Sequence, residues 1–456
     1  MTAAALSTGG FRLPHAARAL DVAAITARLQ ATLFADGPRL LRARPCYLRL
    51  KPGTALFVLW EVEFTAADAP SDAAAHDAQR SLQRDYVELS TGAGGLVPEE
   101  RRKWETLHPS LAPRERFLDF DAAHDTILAR LPFDLELRRL PRLLDPEGIK
   151  RVVETLPDPF GDGRAVAIRA RGSSGALQSF RPRRRAVVRL ELRGRDGEET
   201  VLRRAIAREF AAPPASGLAW RVGLAAGPWP RLLSASADQT FLLEELLPGA
   251  PWSGATPFPC AAAGEQLGRF HAATRAALPR FAVARMSWAR ELEAARQVVL
   301  DIAALAPELA DLAERSWRTL PVDAPRSDDL VGVHGDLHAG QLLQDDAGQL
   351  TWCDLDRARP GAPAKDLGRL IADLEQRDAL PTDGVAALLE GWASRSGCAR
   401  LSADSLAPWI ALAHLQAASE PLRRCRPDAL TATVRALESA ARHGQRAAPA
   451  NAKGAS

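Results

Sequence analysis

The residues with the clearest chemistry lie in two short segments around position 345. The first, Val333 to Gln341, reads VHGDLHAGQ, and the second, Trp352 to Ala358, reads WCDLDRA. Phosphoryl-transfer sites place an Asp to accept a hydroxyl proton, an amide side chain five positions later to hold magnesium, and a further Asp to complete the metal site. Asp336, Gln341 and Asp354 have this order and spacing. The two segments therefore predict phosphate-transfer chemistry.

A predicted hairpin joins these segments inside an otherwise helical region. Gln341 to Gln344 and Gln349 to Cys353 are typical of short strands, and Asp345 to Gly348 is a good turn. Apolar residues on both sides recur with helical spacing. The predicted helices are Ala261 to Ala276, Ser287 to Ala304, Ala306 to Leu320, Pro363 to Asp378, Thr382 to Ser396 and Leu406 to His443.

A small antiparallel sheet is predicted ahead of these helices. Its strands are Leu177 to Pro182, Ala186 to Leu192 and Thr200 to Ala205, with turn residues between them. An earlier segment, Leu50 to Val62, matches Phe180 to Leu192 at a constant offset of 130 positions, and Pro, Val and Glu coincide. Three identities leave both a duplication and a chance match open.

The N-terminal third is predicted to be an ordered extra domain. Helical patterns cover Ala75 to Leu89, Phe117 to Leu131 and Asp145 to Leu156. Turn residues from Asp158 to Gly163 indicate a domain boundary. The small polar tail, Ala447 to Ser456, is predicted to be disordered.

Composition argues against several classes of protein. With 59 basic and 56 acidic residues, the chain has a formal charge of only +3, so we expect a small-molecule ligand and no nucleic-acid or membrane partner. Five scattered cysteines without a C-x-x-C pair favour a reducing cytoplasm over a disulfide framework or a structural zinc site. No signal peptide and no membrane span are expected.

The loop, the acidic cluster and Asp366-Leu367-Gly368 together make the chain resemble the aminoglycoside phosphotransferase and choline kinase-like superfamily. Leu243 to Gly249 is similar to that family's interlobe hinge, and Leu267 to His271 to the helix after it. The resemblance covers about Gly161 to His443. It implies an α+β, two-lobed protein kinase-like fold, with a small antiparallel-sheet N-lobe, a helical C-lobe and ATP between them.

The expected domain organisation adds one N-terminal unit to this fold. Residues 1–157 would be an extra α+β domain, with a degenerate repeat of the sheet lobe as one possibility. Residues 158–250 would be the N-lobe, 251–446 the helical C-lobe with the catalytic loop, and 447–456 a disordered tail.

The resemblance also implies roles for residues of the loop and cluster. Asp336 would be the catalytic base or would orient the hydroxyl, and Gln341, which stands where the family has Asn, would bind magnesium with Asp354. His334 and Asp366 would be structural residues of the loop. The role of Asp356 is left open between the metal site and an ion pair with a neighbouring Arg.

The nucleotide site departs from the family pattern, because a kinase N-lobe presents a lysine to the phosphates and none occurs between residues 151 and 364. Arg203 and Arg204 are the candidates in its place, with Glu245 and Leu247 of the hinge as further nucleotide contacts. Three readings stay open: an Arg substitutes, a lysine such as Lys51 comes from elsewhere, or nucleotide use has been lost.

These patterns predict a cytoplasmic, ATP- and magnesium-dependent phosphotransferase that acts on an alcohol group of a small molecule. A near balance of acidic residues and Arg between 370 and 445 favours a sugar or cyclitol over a polycationic aminoglycoside, with an amino alcohol also open. The alternative is a pseudokinase-like protein that binds a nucleotide or metabolite and regulates a partner. The oligomeric state is left open.

Overall fold

The computed structural model shows three parts along the chain, two β-sheets followed by a helical lobe. Its description covers residues 13, 15–35, 38–51, 53–65, 82–107, 117–161, 163, 166–214, 221, 227, 229–278, 285–325 and 329–447. Most of the predicted tail, 448–456, and the first part of the helix predicted from Ala75 lie outside these residues.

The first sheet is antiparallel and five-stranded, with the order β1-β2-β3-β5-β4. Among the described residues, two helices precede it and one lies between β3 and β4. The elements are α1 (Ala16–Leu20), α2 (Val22–Ala31), β1 (Leu40–Lys51), β2 (Ala55–Thr65), β3 (Leu82–Gly92), α3 (Leu96–Leu107), β4 (Leu118–Asp121) and β5 (Thr126–Arg130).

Two helices predicted in this region are therefore wrong. Leu82 to Leu89 belongs to β3, and Phe117 to Leu131 contains the β4-β5 hairpin. In β3, Glu88 and Ser90 are as deeply buried as Val87 and Leu89. Apolar and polar residues alternate from Val87 to Ser90, which is the period of a strand, but only over four positions. Both faces of the strand are covered, so the polar residues of this alternation are not exposed.

The second sheet repeats the strand order of the first, as β6-β7-β8-β10-β9. Its strands include the three predicted ones, each longer than expected. The elements are α4 (Leu140–Leu143), α5 (Pro146–Val153), β6 (Ala167–Arg181), β7 (Arg185–Asp196), β8 (Glu199–Phe210), β9 (Leu232–Ala235) and β10 (Phe241–Glu245).

The first hairpin of each sheet has the same pairing near its turn. Arg49, Leu50 and Lys51 pair with Phe57, Leu56 and Ala55, and Ser179, Phe180 and Arg181 pair with Val187, Ala186 and Arg185. Gly53 (φ 69°) and Arg183 (φ 53°), also 130 positions apart, are both left-handed. Shared strand order, register and turn geometry support a duplicated sheet, which stays a proposal.

The described residues after β10 form the helical lobe, whose strands are short: β11 at its start and four strands between 331 and 361. Its predicted helices are confirmed, except that the last one is three separate helices. The elements are β11 (Ala250–Pro251), α6 (Cys260–Ala277), α7 (Trp288–Leu305), α8 (Ala310–Arg318), β12 (Val331–Val333), β13 (Leu342–Gln344), β14 (Leu350–Trp352), β15 (Arg359–Gly361), α9 (Ala364–Gln376), α10 (Gly384–Ser396), α11 (Ala403–Ala417), α12 (Glu420–Arg423) and α13 (Ala429–Ala447).

Apolar packing divides the molecule differently from the predicted domain limits. One core runs from the first sheet into the helical lobe. A second core joins the second sheet to α4 and α5, through fully buried residues such as Leu140, Ile149, Val188 and Leu190. These two helices precede the predicted boundary at residue 157, yet they pack on the sheet that follows it.

No helix in the described part of the chain is long and apolar enough to cross a membrane. All five cysteines are free thiols. Burial raises the pKa of Cys353, which directly precedes Asp354, to about 12, so this thiol is not an activated nucleophile.

Candidate active site

The loop that carries Asp336 leaves β12 and is fixed at its start by Asp366. The carboxylate of Asp366 is fully buried and accepts hydrogen bonds from the backbone amides of His334 (2.6 Å) and Gly335 (2.9 Å). Gly335 has a φ of 86°, and a Cβ there would lie 2.4 Å from the carbonyl oxygen of Arg357. Only glycine therefore fits at this position.

A buried histidine holds Asp366 in turn. Nε1 of Trp392 donates to Nδ1 of His271 (3.0 Å), so His271 presents Nε2–H to the Asp366 carboxylate at 3.0 Å. On the loop itself, Nε2 of His334 donates to the carbonyl oxygen of Cys353 at 2.8 Å. His334 therefore ties the Asp336 loop to the segment that carries Asp354.

Asp336 lies between two guanidinium groups. Its Oδ2 is 3.4 Å from Nη1 of Arg357, and its Oδ1 is 3.5 Å from Nε of Arg369. Burial alone would raise the pKa of Asp336, but the two arginines outweigh it and hold the pKa below its usual value. Asp336 is therefore ionised at neutral pH and is better suited to orienting a hydroxyl group than to deprotonating it in advance.

Gln341 follows Asp336 in a short 3-10 turn, Ala339–Gln341, and is 4% exposed. Its Oε1, the atom predicted to bind metal, accepts a hydrogen bond from the backbone amide of His338 at 3.1 Å. A carbonyl oxygen has a second lone pair, so this bond constrains the side chain without removing its capacity to bind a cation.

Asp354 stands in the left-handed region (φ 66°) at the end of the β13-β14 hairpin. Nη1 of Arg208 lies 2.8 Å from its Oδ1, and Nη1 of Arg185 lies 3.1 Å from the same oxygen. Although burial opposes ionisation, Arg208 and Arg185 hold the pKa of Asp354 far below its usual value. A positive φ in a non-glycine residue is strained and is found disproportionately at functional sites.

Asp356 shares both of these arginines. Its carboxylate contacts Arg185, and its Oδ2 is 3.3 Å from Nη1 of Arg208. Burial and the adjacent charge of Asp354 raise its pKa against the effect of the arginines. Of the two roles left open for Asp356, the structure shows the ion pair.

Arg208, which sequence reasoning missed, occupies the place expected for Arg203 or Arg204. The strand was predicted to end at Ala205, but pairing with β7 on one side and β10 on the other extends β8 to Phe210. Arg203 instead donates to the carbonyl oxygen of Phe160, and Arg204 pairs with Glu191 at the surface. The structure therefore moves the candidate phosphate-binding residue to Arg208.

Glu244, on β10, is the buried partner of Arg208. Its Oε2 lies 2.6 Å from Nε of Arg208, and its Oε1 contacts Arg221. The signal for Glu244 in the sequence was its place in a predicted hinge, where Glu245 and Leu247 were chosen. Glu245 is the last residue of β10 and Leu247 follows the strand, and both are half-buried. Lys51 lies at the end of β1 over the ring of Phe57.

The oxygen atoms of Asp354 and Gln341 are of the type that a hard cation such as magnesium binds. Magnesium binds one or two carboxylates, substrate phosphates and water. Asp354, whose side chain is 24% exposed, and the Gln341 amide oxygen would be its protein ligands. The two guanidinium groups on Asp354 already neutralise that carboxylate, so a cation at this place has to compete with them.

The fold and the site define a class of protein. An antiparallel sheet joined through a hinge to a helical lobe, with an Asp loop and a second Asp facing strand arginines, is a two-lobed protein kinase-like fold. Residues 181–398 match the model of the Phosphotransferase enzyme family. This match, which covers just under half of the chain, confirms the predicted superfamily resemblance.

The solved structures to which this chain is similar are distant in sequence. Choline kinase from Cryptosporidium parvum is 11% identical, with a TM-score of 0.47 over 66% of this chain and 95% of its own. Macrolide 2'-phosphotransferase from Brachybacterium faecium is 19% identical, with a TM-score of 0.40 over 65% of this chain and 98% of its own. Curated proteins give no match to the chain.

Proposed function

We propose that this protein transfers the γ-phosphoryl group of ATP, with magnesium, to a hydroxyl group of a small molecule. The observation that carries the proposal is the joint placement of Asp336 and Asp354, on two segments that His334 links directly. In the proposed reaction Asp336 would face the acceptor, and Asp354 would face the magnesium-nucleotide. Phosphoryl transfer needs such positioning more than it needs covalent chemistry.

Each residue has a separate task in this proposal. Asp336 orients the acceptor hydroxyl and receives its proton as the phosphoryl group departs. Arg208 would contact the phosphates as the lysine of other kinases does, since Glu244 fixes the rest of its guanidinium group. Magnesium, held by Asp354 and Gln341, supplies charge neutralisation on the phosphate oxygens when it is bound.

The acceptor is proposed to be neutral, such as a sugar or cyclitol. Several acidic residues of the helices after the catalytic loop are paired with neighbouring arginines. The pairs are Asp373 with Arg377 (2.8 Å), Asp378 with Arg435 (3.1 Å), Glu420 with Arg424 (3.2 Å) and Asp428 with Arg426 (2.6 Å). Carboxylates neutralised in this way offer little attraction to a polycation.

Product mass tests the reaction. Purified protein with ATP and magnesium is incubated with sugars, cyclitols, aminoglycosides and amino alcohols, and phosphorylated products are detected by mass spectrometry. Asp336→Asn should reduce turnover by roughly 100-fold or more with an unchanged melting temperature. Asp346→Asn, at an exposed position of the β13-β14 turn, is the matched control. An Asp336→Asn protein that turns over normally would refute the assigned role.

A second candidate function is a pseudokinase-like protein that binds nucleotide without transfer. The ion pairs of Arg185 and Arg208 with Asp354 favour this function, because the two guanidinium groups contact the carboxylate oxygen that a catalytic metal ion would need. Thermal shift with ATP separates the two functions. Stabilisation that requires magnesium and disappears in Asp354→Ala supports transfer, whereas equal stabilisation with and without magnesium, and no product from the panel, supports the pseudokinase.

A further inference from the structure

Three side chains that commonly bind metals meet on the side of α9 away from the catalytic loop. Glu375 lies nine residues after Asp366, and at 100° per residue it points to the opposite face of the helix. It meets His414 of α11 and His443 of α13 there. One ligand atom from each residue lies within 4.8 Å of the other two.

The two imidazoles approach one carboxylate oxygen from similar directions. Nε2 of His414 lies 2.6 Å from Oε2 of Glu375, and Nε2 of His443 lies 3.1 Å from the same atom. The rings stack with a centroid separation of 5.7 Å and an interplanar angle of 16°. His414 is completely buried, whereas Glu375 is 28% exposed, so the cluster opens to solvent on one side.

The ordinary reading of this cluster is two histidines hydrogen-bonded to one glutamate. Its dimensions also suit a metal ion. With bonds of about 2.0–2.2 Å, two ligand atoms of a tetrahedral zinc ion lie about 3.4 Å apart. The distances from the two Nε2 atoms to Oε2 of Glu375 would therefore lengthen by less than about 1 Å. Two imidazoles and a carboxylate, with one open position, are a frequent zinc ligand set.

We propose that Glu375, His414 and His443 bind one divalent transition-metal ion, with zinc as the best fit. The ion would link three helices that are separate in sequence and would keep a solvent-facing fourth position. This site uses no cysteine, so cysteine spacing in the sequence could not indicate it. It is distinct from the magnesium ligands assigned above.

Gln376 gives the proposed site a supporting hydrogen bond. Its Nε2 lies 3.2 Å from Nδ1 of His414, so in the metal-free protein the amide donates and His414 carries its proton on Nε2. A metal ion on Nε2 moves that proton to Nδ1, and the amide rotates to accept it through Oε1. The histidine loses no net proton in this exchange, and the orienting bond is preserved.

Zinc titration of chelator-treated protein tests the proposal, with a chromophoric chelator as competitor. We expect one zinc ion per chain in the unaltered protein, and no such binding in His443→Gln or Glu375→Gln. Gln376→Leu should weaken binding roughly 10-fold or more, and Gln376→Glu should retain it. Cobalt in place of zinc should give the visible absorption of a four-coordinate ion.

His124→Gln is the matched control, since His124 also contacts a carboxylate, Asp121, at 2.7 Å. Circular dichroism verifies that each variant is folded, and His443, which is 12% exposed, is less disruptive to replace than the fully buried His414. The absence of stoichiometric zinc binding in the unaltered protein would overturn the proposal. Binding that persists in both folded ligand variants, or that His124→Gln abolishes, would also overturn it.

Discussion

Burial has opposite effects on the pKa values of two adjacent residues of β8, since it lowers that of Arg208 and raises that of Glu209. Arg208 lies among the carboxylates of Glu244, Asp354 and Asp356, and these raise its pKa against the desolvation that would lower it. Glu209 points to the other face of the strand, as alternation requires. It is 2% exposed, and its Oε1 accepts a hydrogen bond from the Arg139 amide at 2.6 Å. Burial raises the pKa of Glu209 to about 7.

Glu209→Gln should therefore stabilise the protein at pH 8. Between a pKa of 4.5 when unfolded and about 7 when folded, only the folded state holds the proton, so stability falls as pH rises through this window. Gln retains the acceptor oxygen and removes the charge. We expect a gain on the order of 1–3 kcal/mol in the free energy of unfolding at pH 8 and little change at pH 4.

Urea unfolding at the two pH values measures this difference. Glu198→Gln, at an exposed turn position between β7 and β8, is the control and should change stability at neither pH. An equal effect of Glu209→Gln at pH 4 and pH 8 would contradict the raised pKa.

At the same scale, the sequence located the loop residues but not their arginine partners. Asp336, Gln341 and Asp354 lie within 19 positions of one another, so local spacing was enough to find them. Arg208 reaches Asp354 across 146 positions. Its role depends on how far β8 extends, which is set by pairing with both β7 and β10.

At the scale of elements, α5 shows where sequence and structure divide the chain differently. The helix was predicted correctly, and Asp145 caps it by accepting a hydrogen bond from the Gly148 amide at 2.7 Å. Its apolar face is covered by the second sheet, across the predicted boundary. Local periodicity identifies a helix, but it does not identify the surface on which the helix packs.

Ile149→Ala should consequently destabilise the second sheet. Ile149 is fully buried in the core that contains Val188 and Leu190. We expect a loss of about 2–5 kcal/mol in the free energy of unfolding, measured by urea denaturation. Arg151→Ala, on the exposed face of the same helix, should stay within about 0.5 kcal/mol of the unaltered protein. Equal effects of the two changes would show that α5 does not pack as described.

At the scale of the whole molecule, the turn between β6 and β7 connects the second sheet to the first. Arg183, at the tip of this turn, is 8% exposed and enters the first sheet's unit. Its Nε lies 2.6 Å from Glu88 on β3, and its Nη1 lies 3.1 Å from Glu100 on α3. Its backbone amide donates to Asp134 at 2.8 Å. One side chain therefore ties the two sheets to each other.

Arg183→Met should remove this contact and leave the buried carboxylates of Glu88 and Glu100 without the cation that they share. The expected loss is about 3–5 kcal/mol in the free energy of unfolding, with faster hydrogen exchange in β3 and in the β6-β7 turn. Arg184→Met alters the neighbouring exposed arginine of the same turn and should have little effect. If both variants unfold at the same denaturant concentration, Arg183 does not hold the sheets together.

The anchored turn also has a consequence for timing. Arg185, two residues beyond Arg183, reaches Asp354, so the end of this hairpin borders the candidate site. A free loop tip moves within nanoseconds to microseconds, whereas this tip moves only when a buried ion pair opens. A molecule lodged beneath it would escape no faster than that opening. For the nucleotide proposed above, release from beneath this tip would then be a step that can limit each cycle.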